Sequence, residues 1–172
     1  MGRNVEIKAR LADRPALVER VEAIADEGPT VLHQEDTFFP SPRGRLKLRR
    51  FADGRGELIH YRRPDATGPE ESRFVRSPAT DPASLAEALG RALGVRGVVR
   101  KKRTLYLVGR TRIHLDEVEG LGDFLELEVV LAPGESKEAG HTVARDLMKR
   151  LGVDEDSLVA GAYIDLVEGG GG

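Results

Sequence analysis

The chain contains no cysteine and no tryptophan in 172 residues, and only 5% of it is aromatic. Without a thiol there is no disulfide framework, no thiolate zinc centre and no cysteine nucleophile. So few aromatic rings also argue against the stacking platform on which single-stranded nucleic acid is held. A surplus of one charge is missing too: 27 Lys plus Arg stand against 29 Asp plus Glu, a formal net charge of −2. Bulk electrostatics therefore give no support to a nucleic-acid partner or a membrane-surface partner. No run approaches the roughly 18 apolar residues of a membrane span, and no apolar N-terminal stretch reads as a secretory signal. The expectation is a soluble, cytoplasmic protein with an aliphatic core, forming one domain over residues 1–168. Gly169 to Gly172 read as a disordered tail.

What is present is alternation. Asn4 to Leu11 alternates polar and apolar residues for eight positions, the period of a strand. Asp13 and Pro15 then open a helix predicted over 14–26, with Leu17, Val18, Val21, Ile24 and Ala25 at helical spacing. Strands are predicted at 31–39, 45–51, 57–63 and 72–76, separated by Gly- and Pro-rich turns that favour antiparallel neighbours. A second helix follows Asp81-Pro82 and stops at Gly94, and three more strands are predicted at 97–108, 111–118 and 122–131. A third helix is expected at 135–151, a short fourth at 155–160, and an extended closing piece at 163–167.

One parity of these strands is ionic. Glu6 and Lys8 share a face, as do Lys47 and Arg49, Lys101 and Arg103, then Arg112, His114 and Asp116, and finally Glu126 and Glu128. For a single strand, the solvent side of an antiparallel sheet explains such a row. Here, however, basic strands and acidic strands are separated along the chain. About eight antiparallel strands close into a barrel that holds one small ligand, and an ionic interior requires something to neutralise it. Arg and Lys in number match phosphate; grouped carboxylates match a hard divalent cation. A polyphosphate with Mg2+ or Mn2+ satisfies both sets. Gly90 to Arg96 lacks the Walker pattern, so no phosphate loop competes with this reading.

The segments Asn4-Val5-Glu6-Ile7-Lys8, Gln34 to Phe39, Leu46 to Arg49, Lys101 to Arg103, His114 to Asp116 and Gly122 to Glu128 resemble, in their order and parity, the CYTH family of triphosphate tunnel metalloenzymes. That family includes class IV adenylyl cyclases, thiamine triphosphatases and inorganic triphosphatases. The resemblance implies an α+β protein, a closed antiparallel eight-stranded β-barrel with flanking helices. It implies phosphate binding by Lys8, Lys47, Arg49, Lys101 and Arg103, joined by Arg63 and Arg112. It also implies Mg2+ or Mn2+ binding by Glu6, Asp116, Glu126 and Glu128, and catalysis by Glu6, Lys8, Arg103, Glu126 and Glu128. The family's opening Glu-x-Glu-x-Lys here begins with Asn4, Tyr61 stands where a Lys is common, and Glu70 stands where many relatives are basic. A charge pair of Glu70 with Arg62 or Arg63 across neighbouring strands is expected. Asp36 is expected to orient basic residues, and His114 to be either a tunnel acid or base or a hydrogen-bonded barrel residue.

Three activities stay open on these residues: hydrolysis of a triphosphate (ATP, tripolyphosphate or thiamine triphosphate), cyclisation of ATP to cyclic AMP, and binding of polyphosphate or nucleotide without turnover. Hydrolysis asks least of the chain, because a tunnel that grips only phosphates suffices for it. The expected assembly is a monomer or homodimer.

Overall fold

A computed structural model describes residues 1–170. The alternating N-terminal segment is strand β1 (Gly2–Arg10), and helix α1 (Arg14–Glu22) follows it. The Asp13 side chain accepts a hydrogen bond from the Ala16 N–H, and Pro15 sits in the first turn. The helix stops at Glu22 and not at Asp26, because the chain is already joining the sheet there. The Asp26 N–H donates to the Leu107 carbonyl at 2.8 Å, and the Asp26 carboxylate accepts from the Gly109 N–H at 2.5 Å. Strand β2 (Glu27–Phe39) thus begins earlier than expected and passes through a register shift between Glu27 and Thr30.

Strands β3 (Arg45–Phe51), β4 (Gly56–Arg62) and β5 (Glu70–Ala79) continue the meander, then helix α2 (Pro82–Leu93) runs from an Asp81 cap to Gly94. Strands β6 (Gly97–Val108), β7 (Thr111–Val118) and β8 (Gly122–Val130) precede helix α3 (Lys137–Leu151), which Ser136 caps and left-handed Gly152 ends. The short fourth helix is a single 3₁₀ turn, Glu155–Ser157, after which Leu158 bridges to Ala9. The expected extended piece at 163–167 is instead helix α4 (Tyr163–Gly169), opened by the Asp165 carboxylate accepting the Ala162 N–H at 2.7 Å. Gly169 therefore belongs to that helix and not to a disordered tail. Residues 171 and 172 of the expected tail lie outside the described residues.

The eight strands close into an antiparallel barrel in the order β1-β5-β4-β3-β2-β6-β7-β8. The barrel is inverted relative to a small apolar-cored one. Ile7, Ala9, Ile113, Leu115, Leu125 and Leu127 point outward and pack with Leu17, Val21, Leu147, Met148 and Leu151 of α1 and α3. Each fully buried aliphatic side chain contributes about 1.5–3 kcal/mol, so helices outside the barrel supply the core and leave its interior free for charge. Gly140 lets α3 approach β1: a Cβ there would stand 2.6 Å from Val5 Cγ2 and 2.8 Å from Leu131 Cδ2. Among the described residues no helix is long and apolar enough to cross a membrane.

Candidate active site: an ionic tunnel

Pleating alternates side chains across the sheet, so closing the barrel turns the ionic rows of β1, β3, β6 and β8 to a shared axis, while β4 turns Ile59 and Tyr61 there. The tunnel contains a cavity of about 80 Å³ whose lining includes Glu6, Lys8, Asp36, Lys47, Arg49, Arg63, Lys101, Arg103, Glu126 and Glu128. Register makes its ion pairs. Asp36 lies opposite Arg49, Arg103 opposite Asp116, Lys8 opposite Glu126, and Arg112 opposite Glu128.

One wall, on β2, β3 and β6, is organised by Asp36. Its carboxylate accepts from Arg49 Nε and Nη2 at 2.7 and 2.8 Å, from Lys47 at 3.0 Å and from Lys101 at 3.1 Å. Burial by itself raises the Asp36 carboxyl, but Arg49, Lys101 and Lys47 outweigh it and hold it well below the usual carboxylate range. The lysines move the other way. Burial, with Arg49 close by, brings Lys47 down to about 7, and burial brings Lys8 down to about 8.

The opposite wall, on β1, β7 and β8, carries the carboxylates. Glu6 is pushed up by burial and by Glu128. Burial also raises Glu126, yet Lys8 and Arg103 hold it well below its ordinary value. Arg103 Nη2 reaches Glu126 at 3.1 Å, Lys8 stands 3.6 Å from Glu126, Arg63 donates to Glu6 at 3.1 Å, and Arg112 stands 3.6 Å from Glu128. His114 is fully buried on this wall, its Nδ1 3.6 Å from Glu126 and 3.8 Å from Glu128. Burial and then Arg103 lower its pKa, favouring the neutral ring.

Asp116 is set apart from the other acids. Arg103 binds it through two hydrogen bonds of 2.7 Å, and the Tyr163 hydroxyl donates to it at 2.8 Å. Its place is that of an anchor for Arg103. The expected Glu70 pair does not form: Glu70 faces Glu6, Arg62 faces Arg73, and Arg63 turns to Glu6 and to the Gly161 carbonyl. Asn4 is buried, and its Oδ1 has no hydrogen-bond partner among the described residues. Tyr61 lines the tunnel, as its parity required.

Sequence reasoning missed three features. Ser72 and Arg76 line the tunnel from β5, where only the alternation from Glu70 onward could have pointed to them. Tyr163 enters from α4, its ring 4.1 Å from Lys8 Nζ and 5.3 Å from Lys101 Nζ, while the Gly161 carbonyl accepts from Lys8 at 3.0 Å.

The CYTH domain family model matches residues 2–163. The chain belongs to the CYTH domain family. Among relatives, this CYTH chain is 31% identical over 173 aligned residues to a protein of Aeromonas hydrophila named adenylate cyclase CyaB, covering 95% of this chain and 88% of that one. A Pyrococcus horikoshii structure superposes with a TM-score of 0.84 at 28% identity, covering 95% and 98% of the two chains. A Hippeastrum protein, a candidate adenylyl cyclase described as having a dominant triphosphatase activity, superposes with a TM-score of 0.64 at 17% identity, covering 94% and 91%. That last likeness shows the CYTH fold alone.

Glu6, Glu126 and Glu128 suit a divalent cation: all are carboxylates, and all line one cavity. Glu126 and Glu128 also form, with His114, a group whose ligand atoms lie within 4.8 Å of one another.

Proposed function

We propose that the protein hydrolyses a triphosphate bound along the tunnel. One observation carries this reading: a wall with a built-in surplus of positive charge, Lys47, Arg49 and Lys101 around the single Asp36, faces a wall of grouped carboxylates across a narrow cavity. Phosphoryl transfer needs little covalent chemistry from a protein; position and charge neutralisation supply most of the barrier reduction. Lys47, Arg49 and Lys101 hold the non-reacting phosphates, with Arg63 and Arg112 at the margins. Lys8 on β1 and Arg103 on β6, both beside Glu126, stabilise charge on the phosphoryl group being transferred. A divalent cation, Mg2+ or Mn2+, held by Glu6, Glu126 and Glu128, supplies Lewis-acid polarisation of a phosphoryl oxygen when bound. Asp116 and Tyr163 fix Arg103 in its orientation. A carboxylate oxygen of the acidic wall orients water and takes its proton as the water oxygen bonds to the terminal phosphorus. The P–O bond to the bridging oxygen breaks, that oxygen keeps the electron pair, and orthophosphate and the shortened phosphate chain leave.

A second reading is cyclisation of ATP, favoured by the 31% identity to a protein named adenylate cyclase. There the ribose 3′ oxygen attacks the α-phosphorus and pyrophosphate leaves. The test incubates the protein with ATP, tripolyphosphate and thiamine triphosphate, each with Mg2+ or Mn2+, and separates the products. Orthophosphate release is expected. Cyclic AMP with pyrophosphate replaces hydrolysis by the second reading, and saturable binding with no product removes both.

A further inference from the structure

On the acidic wall, His114 is a side chain that triphosphate binding does not use. His114 projects from β7 into the barrel, 1% exposed, and neither ring nitrogen has a hydrogen-bond partner among the described residues. Buried imidazole nitrogens are ordinarily paired. Register places His114 directly opposite Glu126, and the nearest oxygens lie at 3.6 Å on Glu126 and 3.8 Å on Glu128, too long for hydrogen bonds. Two donors on one small divalent cation, each about 2.1 Å from it, stand about 3.0–4.2 Å apart. Both separations fall inside that span.

We infer that His114 is a nitrogen ligand of the cation that Glu126 and Glu128 hold, and that it makes this site prefer first-row transition divalent ions to Mg2+. The inference rests on the carboxylate site proposed above and adds to it a ligand of a different chemical type. Mg2+ takes oxygen donors and gives up water reluctantly, whereas imidazole nitrogen suits the first-row transition ions. A purely carboxylate site of the same charge has no such reason to discriminate. The ring is held by its burial between strands and not by hydrogen bonds, so it is free to offer a lone pair to an ion lying between the two glutamates.

The experiment uses the intact protein with MnCl2 or MgCl2 and a methylene-bridged triphosphate, a non-hydrolysable probe that contributes no nitrogen. Pulsed electron paramagnetic resonance of the Mn2+ complex is expected to show coupling to one ¹⁴N nucleus, lost in His114→Gln. Calorimetry is expected to give Mn2+ binding at least about tenfold tighter than Mg2+, with His114→Gln shrinking that ratio by about tenfold. A wild-type Mn2+ spectrum without ¹⁴N coupling, or an unchanged ratio in the variant, overturns the histidine ligand. The wild-type spectrum decides the matter even where His114→Gln does not fold. Glu126→Gln separates the two levels: if it loses Mn2+ while the wild type shows no nitrogen coupling, the carboxylate site stands and only His114 falls. If Glu126→Gln binds Mn2+ as tightly as wild type, the carboxylate site falls and the histidine proposal with it.

Discussion

The two walls of the tunnel solve the problem of buried charge in opposite ways. On β2, β3 and β6, three basic side chains share one carboxylate, so an excess of positive charge is built into the fold, complete where Lys47 is protonated. The carboxylates of β1, β7 and β8 are nearly matched by cations: Lys8 and, from β6, Arg103 lie on Glu126, Arg63 on Glu6 and Arg112 on Glu128. The unbalanced wall is ready for an anion. The balanced wall accepts a cation readily only when its basic side chains turn to another partner, and a triphosphate is such a partner. Metal and triphosphate should therefore strengthen each other's binding, and by linkage the effect is reciprocal.

The sharpest way to break this comparison is to disable the balanced wall alone. Glu126→Gln keeps the shape of the side chain and removes one carboxylate charge. Turnover of the preferred triphosphate should fall by about 10²–10³-fold or more in kcat, with the far-UV circular dichroism spectrum unchanged. Binding of triphosphate without metal should survive, because the Asp36 wall is untouched. Retention of full activity would remove the acidic wall from the chemistry.

Asp36→Asn tests the other wall. It leaves Arg49, Lys47 and Lys101 buried without their counter-ion, and loss of one partner from a buried ionic group costs about 3–5 kcal/mol. Urea unfolding measures the loss. Tripolyphosphate should then stabilise the variant more than it stabilises the wild-type protein, since it supplies the missing negative charge. Burial lowers Lys47 and Asp36 helps to hold it up at about 7, so without Asp36 it gives up its proton more readily. The Lys47 share of the cost should therefore be full in acid and shrink as pH rises towards 7, while the Arg49 share stays. Equal stabilisation of both proteins by the anion would mean that Asp36 does not set the charge surplus.

Much of this arrangement was legible from the alternation. The ranges 97–108 and 111–118 were read as β6 and β7 with their observed ends, and the ionic parity faces the axis as expected. Parity survives because a strand that slips by one residue would turn its whole charged row into the aliphatic layer beneath α1 and α3. The errors fall where period carries little information. Residues 163–167 are too few to separate a strand from one turn and a half of helix, and what makes α4 helical is long-range. Asp165 holds the Ala162 N–H while also receiving Arg45 of β3 and Arg96 from the loop before β6. The Glu70 pairing failed because a sequence shows which residues share a face but not which strand lies beside them. β5 borders β1 as well as β4, and Glu70 meets Glu6 there. Asp116 is expected among the metal ligands, and neither its acidity nor its parity reveals what its carboxylate meets. Only the fold shows that Arg103 and Tyr163 occupy its carboxylate.

The smallest expected effect compares the walls by proton alone. Burial lowers Lys47 to about 7 and Lys8 to about 8. A lysine so depressed is charged below that value and loses its charge as pH rises through it, so triphosphate affinity should weaken on the alkaline side. KM for the triphosphate is expected to rise about tenfold between pH 6.5 and 9, steepest between 7 and 8.5. Bound triphosphate favours the charged lysines, so binding near pH 7.5 should take up protons, seen by calorimetry in buffers of different ionisation enthalpy. Metal affinity should fail at the opposite extreme. Burial and Glu128 raise Glu6, so acidification protonates it before an ordinary glutamate and removes a ligand charge. The two walls thus predict opposite pH limits, anion binding lost first in base and cation binding lost first in acid. A KM that stays flat up to pH 9 would place the phosphate grip on the arginines alone.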